Sequence, residues 1–568
     1  MINLSISTLV EDNWWWRPDF LSFLQGLVKT VGERLPPEEM ESSLRAPLTE
    51  EMGERDLELG QQRRSGAALR IEEIWMPRLL FLLRKNTLFD AAEGYVLVSI
   101  RGPRRVGKTT LVKLMLRELL LYSLSHPKEA NPLKMVYIRC DRAGLGGVEG
   151  LANIIRDFLS RRRDYPGSAY VFLDEVSSLR NWQVAVKDLF DAGLLTKNKV
   201  KLLITGSHSL DVKKGAEVLG LRKGVMLEGG NDKLLFPMKF AEYAYYREQL
   251  AGRRALRDFF TNERFLEVQK RLEAFMELTR PEGKMPASLE MAEAYLDELY
   301  AYFENYLLTG GFPLAIRQQL ALGRIDPSVY SEFVDLAVKD AMKWRLNEDT
   351  LYNVLWELLE APGGLYETVP IKETSANSLA LKLGISHNTV KQYLDYLVDA
   401  FVLLEVAKLK EFGRRRSPVK TPRKFYFWDP LMFYAFKAMS AGNREAYSMV
   451  LNTLDRWKGV MTEMVVASNV AHMVFSLEVI QDLRLLKRKM FYYKPQHGKE
   501  IDFLIDIKGK LVPIEVYSGE EVDSDHVKKL VGISRQLGTR GILVYRGKET
   551  RLSEDFVAIP APLFMLLA

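Results

Sequence analysis

Over residues 67–245, short apolar runs alternate with segments in which apolar positions recur at helical spacing. Tyr95–Ile100, Met135–Ile138, Ala169–Leu173 and Lys201–Thr205 are brief enough, and apolar enough, to read as strands buried on both faces. The segment Thr109–Tyr122, directly after the first run, reads as an amphipathic helix. Alternation of this kind predicts a parallel sheet with helices on both sides, an α/β architecture.

The pattern then changes. Residues 246–345 lose the strand signal, and Phe265–Leu278 and Ala292–Leu308 predict helices around a charged linker, Thr279–Pro286. Residues 346–412 read as a small helical module. From 413 to 568 short β runs return at Phe425–Phe427, Ile501–Ile505, Leu511–Val516 and Gly541–Tyr545, predicting a second α/β domain. Residues 1–66 form an extension. Its Trp14, Trp15 and Trp16 are consecutive and cannot share one helix face. They read either as packing against the body of the protein or as a docking site for a partner or neighbouring subunit. Residues 36–64 are rich in charge and poor in β-branched and aromatic side chains, the composition of loosely structured chain.

Composition adds bounds. At 568 residues the chain is too long for one core. Its charge is nearly balanced, 80 Lys and Arg against 74 Asp and Glu, so any polyanion partner requires local clustering of cations. With one cysteine, Cys140, no internal disulfide can form. The N-terminus lacks a signal-peptide pattern, and Lys113, Arg117 and Glu118 interrupt Leu111–Leu124, the stretch closest to an apolar span. A cytoplasmic chain without a membrane partner is expected.

The candidate chemistry begins at Gly102-Pro103-Arg104-Arg105-Val106-Gly107-Lys108-Thr109, which satisfies G-x-x-x-x-G-K-[ST] between a strand and a helix. In that context the glycines allow backbone N–H groups to wrap phosphates, and the start of the helix faces them. Residues Gly102 to Thr110 are therefore the expected ATP-binding segment. Lys108 would neutralise the β- and γ-phosphates, and Thr109 would reach Mg²⁺. Downstream, Tyr170-Val-Phe-Leu-Asp174-Glu175 ends a buried strand in two carboxylates. Asp174 is expected to hold Mg²⁺ and Glu175 to polarise the attacking water. Thr205 or Ser207, after the next strand, could contact the γ-phosphate and the water, with a plain turn as the alternative. Arg222 is a candidate cation for a neighbouring subunit's site in a homo-oligomer, or a solvated loop residue.

Two further constellations stand out. Leu379–Leu394 has helix–turn–helix spacing, with Gly384 at the turn and Ser386 as helix cap, and Phe401–Val406 suggests a wing strand. His387, Asn388, Lys391 and Gln392 would then face DNA, although a module of this kind can also bind protein. Nearby, Arg414, Arg415 and Arg416 belong to a run of six cations without an acid, Gly413–Lys424, which could bind phosphates or form a solvated hairpin loop. In the last domain Glu463, Asp502 and Glu515 could meet around Mg²⁺ as in a nuclease. Tyr517 stands where such a site needs a Lys, which Lys494 or Lys499 would have to replace. An inactive domain retaining old carboxylates is the alternative reading.

Together with Thr205-Gly-Ser, Gly310-Gly311-Phe312-Pro313, Glu500-Ile-Asp-Phe and Pro513-Ile-Glu-Val, these motifs resemble a family of mainly archaeal and bacterial AAA+-type ATPases. The family couples a P-loop domain to a winged helix and a C-terminal restriction-endonuclease-like domain. The resemblance covers about residues 70–568. It implies ATP binding at Lys108 and Thr109, hydrolysis through Asp174 and Glu175, and a PD-(D/E)XK-type relic or nuclease at Glu463, Asp502 and Glu515. Residues 1–66 have no counterpart in it, and 246–290 resemble an insertion.

Overall fold

The fold comes from a computed structural model. It describes residues 9, 12–32, 48, 94–142, 144–206, 209–227, 230–251, 268–359, 371–412, 422–441, 446–478, 482–495 and 500–568. The chain divides into two compact units, Met1–Leu235 and Phe236–Ala568.

The first unit is built on five parallel strands: β1 (Val96–Arg101), β2 (Met135–Arg139), β3 (Tyr170–Asp174), β4 (Lys201–Thr205) and β5 (Asp232–Leu234). Their order across the sheet is β2-β3-β4-β1-β5. The four apolar runs are all strands. Apart from half-buried Arg139, every residue of β1 to β4 is buried, as a sheet covered on both faces requires. Its helices include α1 (Pro18–Gly32), α2 (Lys108–Ser125), α3 (Gly147–Arg161), α4 (Trp182–Asp191) and α5 (Ser209–Leu219). Because all strands run the same way, residues following β1, β3 and β4 emerge along one edge of the sheet. That edge gathers the chemical motifs.

β2 is the outer strand, and its free hydrogen-bonding groups would invite another strand. The N-terminal segment covers them. Tyr137 N donates to Asn13 Oδ1 at 2.7 Å and Asn13 Nδ2 donates to Tyr137 O at 2.9 Å. The indole N–H groups of Trp15 and Trp16 both donate to Met135 O, at 3.3 and 2.9 Å. Trp16 also stacks on Phe158, and Arg142 pairs with Asp12 at 2.6 Å. The tryptophan triplet is therefore buried packing that closes a sheet edge, and its exposed docking role is withdrawn. Residues 36–47 and 49–64 of the charged stretch lie outside the described residues.

The second unit carries a nine-stranded mixed sheet. Its strands are β6 (Ile371–Thr374), β7 (Leu403–Leu409), β8 (Arg423–Phe427), β9 (Met490–Tyr493), β10 (Ile501–Ile507), β11 (Lys510–Tyr517), β12 (Gly541–Tyr545), β13 (Arg551–Leu552) and β14 (Phe556–Pro560). The order is β13-β14-β12-β11-β10-β9-β7-β8-β6. The boundary expected at 412/413 falls between β7 and β8, which pair antiparallel, and β7 also pairs in parallel with β9. Ala407 and Leu409 of β7 share one core with Phe491, Leu504 and Leu543. The boundary expected at 245/246 falls inside the helix Phe240–Ala251. The predicted helix over 292–308 is two, Ala287–Glu293 and Leu296–Thr309. Arg456–Leu477, inside the long helix Ala446–Leu477, is a second stretch that approaches an apolar span. It is long and apolar enough to cross a membrane, with mean hydropathy 1.4, yet 83% of its most apolar window is buried inside the protein.

Gly310 and Gly311 have a specific packing reason. A Cβ on Gly310 would lie 1.9 Å from Asp429 Oδ1, and one on Gly311 would lie 2.1 Å from Met238 O. Asp429 is fully buried and accepts N–H bonds from Gly311 at 2.7 Å and Leu431 at 2.8 Å. Burial outweighs those two bonds and raises its carboxyl from the ordinary 3.8 to about 7. The folded chain thus keeps a proton that the unfolded chain releases near pH 4. Stability is greatest below that pH, falls as pH rises towards 7, and is then level. Between pH 5 and 8 the urea stability of Asp429→Asn should improve relative to wild type by about 3 kcal/mol. A pH-independent difference between the two proteins would remove Asp429 from this role.

Candidate functional site

The phosphate loop joins the buried end of β1 to the start of α2. Gly102 lies against the backbone of Leu235, whose carbonyl would meet a Cβ at 2.0 Å, so β5 as well as any ligand requires a glycine here. Pro103 and Val106 are buried and anchor the loop, while Arg105 is exposed and, like Gly107, adopts positive φ. Gly107 at φ 101° turns the chain into the helix, and its carbonyl accepts the first helical bond, from Leu111 N at 2.9 Å. The first-turn N–H groups of a helix starting at Lys108 consequently face the loop. Thr110, the last residue of the expected segment, is buried in that first turn. The Lys108 ammonium lies across the loop, donating to Gly102 O at 3.1 Å and Pro103 O at 2.7 Å.

The two motifs meet at Asp174. Thr109 Oγ1 donates to its Oδ2 at 2.8 Å, and Tyr137 donates to the same oxygen at 2.8 Å. Thr205 donates to Oδ1. Burial foremost, and then the neighbouring Asp174, holds the Tyr137 phenol well above its ordinary value, so it remains a donor. The carboxylate is 2% exposed and receives three hydroxyls, with no Lys or Arg paired to it among the described residues. A buried carboxylate without a counter-charge, beside a threonine hydroxyl, is a donor set suited to a hard divalent cation. Thr109 and Asp174 would hold Mg²⁺ there. Thr205 is fully buried and serves to hold Asp174.

Glu175 follows in a left-handed conformation, φ 56° and ψ 41°. Its carbonyl accepts bonds from Ser178 N at 2.9 Å and Ser178 Oγ at 2.7 Å, which fix the turn and leave the side chain half-buried. A non-glycine residue costs about 1 kcal/mol in this region. Ser207 lies outside the described residues. Arg222 is not brought to the phosphate loop. It pairs with Asp191 at 2.9 Å in a segment that adjoins Tyr95, at the opposite end of β1.

Tyr137 is the participant that sequence reasoning missed. It stands one strand away from Asp174 in a run that reads only as buried strand, and only the β2–β3 pairing brings its hydroxyl to the carboxylate.

In the second unit, helices α6 (Ala376–Leu383) and α7 (His387–Asp399) form the expected helix–turn–helix. Gly384 turns at φ 65°, and Ser386 caps α7 by accepting from Thr389 N at 3.1 Å. Val390, Leu394 and Leu397 are buried, while His387, Asn388, Lys391 and Gln392 are all exposed. β7 and β8 then form a hairpin. Arg414, Arg415 and Arg416 fall in its connection, outside the described residues.

The three C-terminal carboxylates do converge, on cations. Lys424 Nζ lies 2.5 Å from Glu500, 3.5 Å from Glu463 and 3.7 Å from Asp502. Burial would lower the Lys424 amine, but Tyr426 and these carboxylates more than reverse it and hold it above its ordinary value. Asp502 is raised well above the usual carboxylate range, by burial first and then by Glu463 and Glu515. Glu515 receives Lys529 and sits 2.8 Å from His526 Nδ1. Lys494 lies nearest Glu373 and Glu500, Lys499 is outside the described residues, and Tyr517 packs on the His526 ring. Among the described residues no group of three or more His, Cys, Asp or Glu is placed to hold a metal.

Residues 95–244 match a family described as an AAA domain. Residues 300–442 and 473–564 match two domains of unknown function, DUF8612 and DUF4143. No curated protein matches the chain. Among solved structures, the Walker-type ATPase PABY2304 of Pyrococcus abyssi is 15% identical, over 65% of this chain and 95% of its own, with a TM-score of 0.31. The Aeropyrum pernix Orc1 protein in complex with DNA is 13% identical, over 65% and 92%, with a TM-score of 0.27. RuvB of Thermotoga maritima is 16% identical, over 58% and 88%, with a TM-score of 0.22. Likenesses of that size carry no functional argument. The family match and the parallel sheet make the first unit an α/β P-loop nucleotide-binding domain of AAA type.

Proposed function

We propose that this protein is a Mg²⁺-dependent ATPase whose nucleotide state drives a DNA-contacting winged helix. The observation that carries the ATPase reading is the 2.8 Å contact between Thr109 and Asp174, which unites the phosphate loop and the acidic strand end in one site. Lys108 moves from the loop carbonyls to the β- and γ-phosphates. Asp174, oriented by Tyr137 and Thr205, and Thr109 hold Mg²⁺, which supplies charge neutralisation at the phosphates. Glu175 takes a proton from the attacking water. Transfer to water suits this site, because the acidic pair includes a half-buried base in a fixed turn.

DNA is the partner favoured by the exposed row His387, Asn388, Lys391 and Gln392 on a capped helix, followed by a hairpin whose connection carries Arg414, Arg415 and Arg416. DNA cleavage is not part of the proposal, because Glu515 is engaged by Lys529 and His526 and, among the described residues, no group of carboxylates is placed to hold a metal. The protein is expected to bind duplex DNA at low salt. Lys391→Glu with Arg415→Glu should weaken that binding at least tenfold and abolish any stimulation of ATP turnover by DNA. Duplex affinity equal to wild type in this variant would refute the winged-helix assignment.

A further inference from the structure

All strands of the first unit run in parallel, so the sheet has a second edge, where strands begin, away from the phosphate loop. A cleft of about 1050 Å³ opens there. Its lining comes from the turns that enter β2, β3 and β4 and from the end of α3. Seven Lys or Arg side chains line it against one carboxylate, Glu129, a local excess as large as the +6 of the entire chain.

Two of these cations form the floor. Lys134 and Lys201 are 6% and 3% exposed, and each ammonium donates to a backbone carbonyl at 2.7 Å, of Gly167 and Gly94 respectively. Burial lowers both amines, with Lys199 adding to the effect at Lys201. Five more, Lys128, Arg156, Arg163, Lys197 and Lys199, are exposed at the rim. None of these five forms an ion pair among the described residues. Glu129, a single carboxylate that also accepts the Tyr122 hydroxyl, cannot balance seven cations. Like charges held this closely, two of them partly desolvated, are relieved by a polyanion.

The shape favours a strand over a small metabolite. Lys134 and Lys201 stand at the starts of strands two places apart in the sheet, roughly 10 Å. That span is about three nucleotides of a stacked strand. Tyr170 begins the strand between them. Tyr165 is exposed at the rim with the Arg162 guanidinium 5.7 Å over its ring, an arrangement on which a base can stack. We propose that this cleft binds the phosphate backbone of single-stranded nucleic acid, at a site separate from the ATP pocket and from the helix–turn–helix.

The test is fluorescence anisotropy of a labelled twenty-residue oligothymidylate with the full chain, without nucleotide, from 50 to 200 mM KCl. Arg163→Glu combined with Lys197→Glu should weaken binding at least tenfold and flatten its salt dependence, while basal ATP turnover and melting temperature stay at wild-type values. Lys391→Glu, by contrast, should leave oligothymidylate binding intact. Wild-type affinity in the cleft variant overturns the proposal even if duplex binding through the helix–turn–helix stands. So does binding of inorganic tripolyphosphate, lost in the cleft variant, by a protein that ignores the oligonucleotide. If Lys391→Glu loses duplex binding and the cleft variant loses only the single strand, both readings hold.

Discussion

Replacing Glu175 by Gln should reduce ATP turnover by about 10²–10⁴-fold while leaving ATP affinity within a few-fold of wild type. The substitution keeps shape and burial and removes only the basic oxygen. Asp174 is already committed to Thr109, Tyr137 and Thr205, so it cannot substitute as base without losing those bonds. Nucleotide affinity rests on the loop and Lys108 and should survive. Single-turnover hydrolysis together with equilibrium binding of ATP separates these effects. Glu175→Gly supplies an independent check on the backbone. It also lacks the base, so turnover should fall equally, but it relieves the left-handed conformation and should raise urea stability by about 1 kcal/mol. A Gln variant with wild-type turnover would assign proton transfer to another group.

The largest effect on stability is expected at Gly310. Its φ of 59° and ψ of −158° belong to a region open essentially to glycine alone. The Asp429 carboxylate occupies the space a methyl group would need. Moving that carboxylate would break its bonds to Gly311 N and Leu431 N and leave buried donors without an acceptor. Gly310→Ala should therefore cost about 3–5 kcal/mol, read as a lower urea midpoint. Trp428 is buried next to Asp429 and stacks on Phe236, so its fluorescence offers a local report. In a double-mutant cycle with Asp429→Ala the two losses should fall short of additive, because removing the carboxylate also removes the clash. Full additivity would place the strain elsewhere.

The parts that were legible in the sequence are those in which cause and effect lie close together. The phosphate-loop motif is eight residues running from the end of a strand into a helix, and Asp174–Glu175 ends a single apolar run. In the helix–turn–helix, Gly384 and Ser386 act within four residues of themselves, so turn and cap could both be read. What was obscure depends on strand order. Asn13 and Tyr137 are 124 residues apart, and nothing local shows that an asparagine will complete the edge of a sheet. Tyr137 and Thr205 reach Asp174 only because β2 and β4 flank β3. The place of Arg222, away from its own phosphate loop, was hidden for the same reason, since position along the chain does not say at which end of the sheet a loop emerges. The C-terminal carboxylates were found, but the cations they meet, Lys424 and Lys529, stand on a different strand and on the helix Ser524–Leu537.

The central claim, that the site at Lys108, Thr109 and Asp174 hydrolyses ATP, is tested most directly by initial-rate phosphate release. The comparison is wild type against Lys108→Ala, with and without Mg²⁺, and with single-stranded or duplex DNA present. The account predicts turnover that requires Mg²⁺ and falls at least 100-fold in the variant under every condition. Equal phosphate release from the two proteins, or release that persists without Mg²⁺, would contradict it.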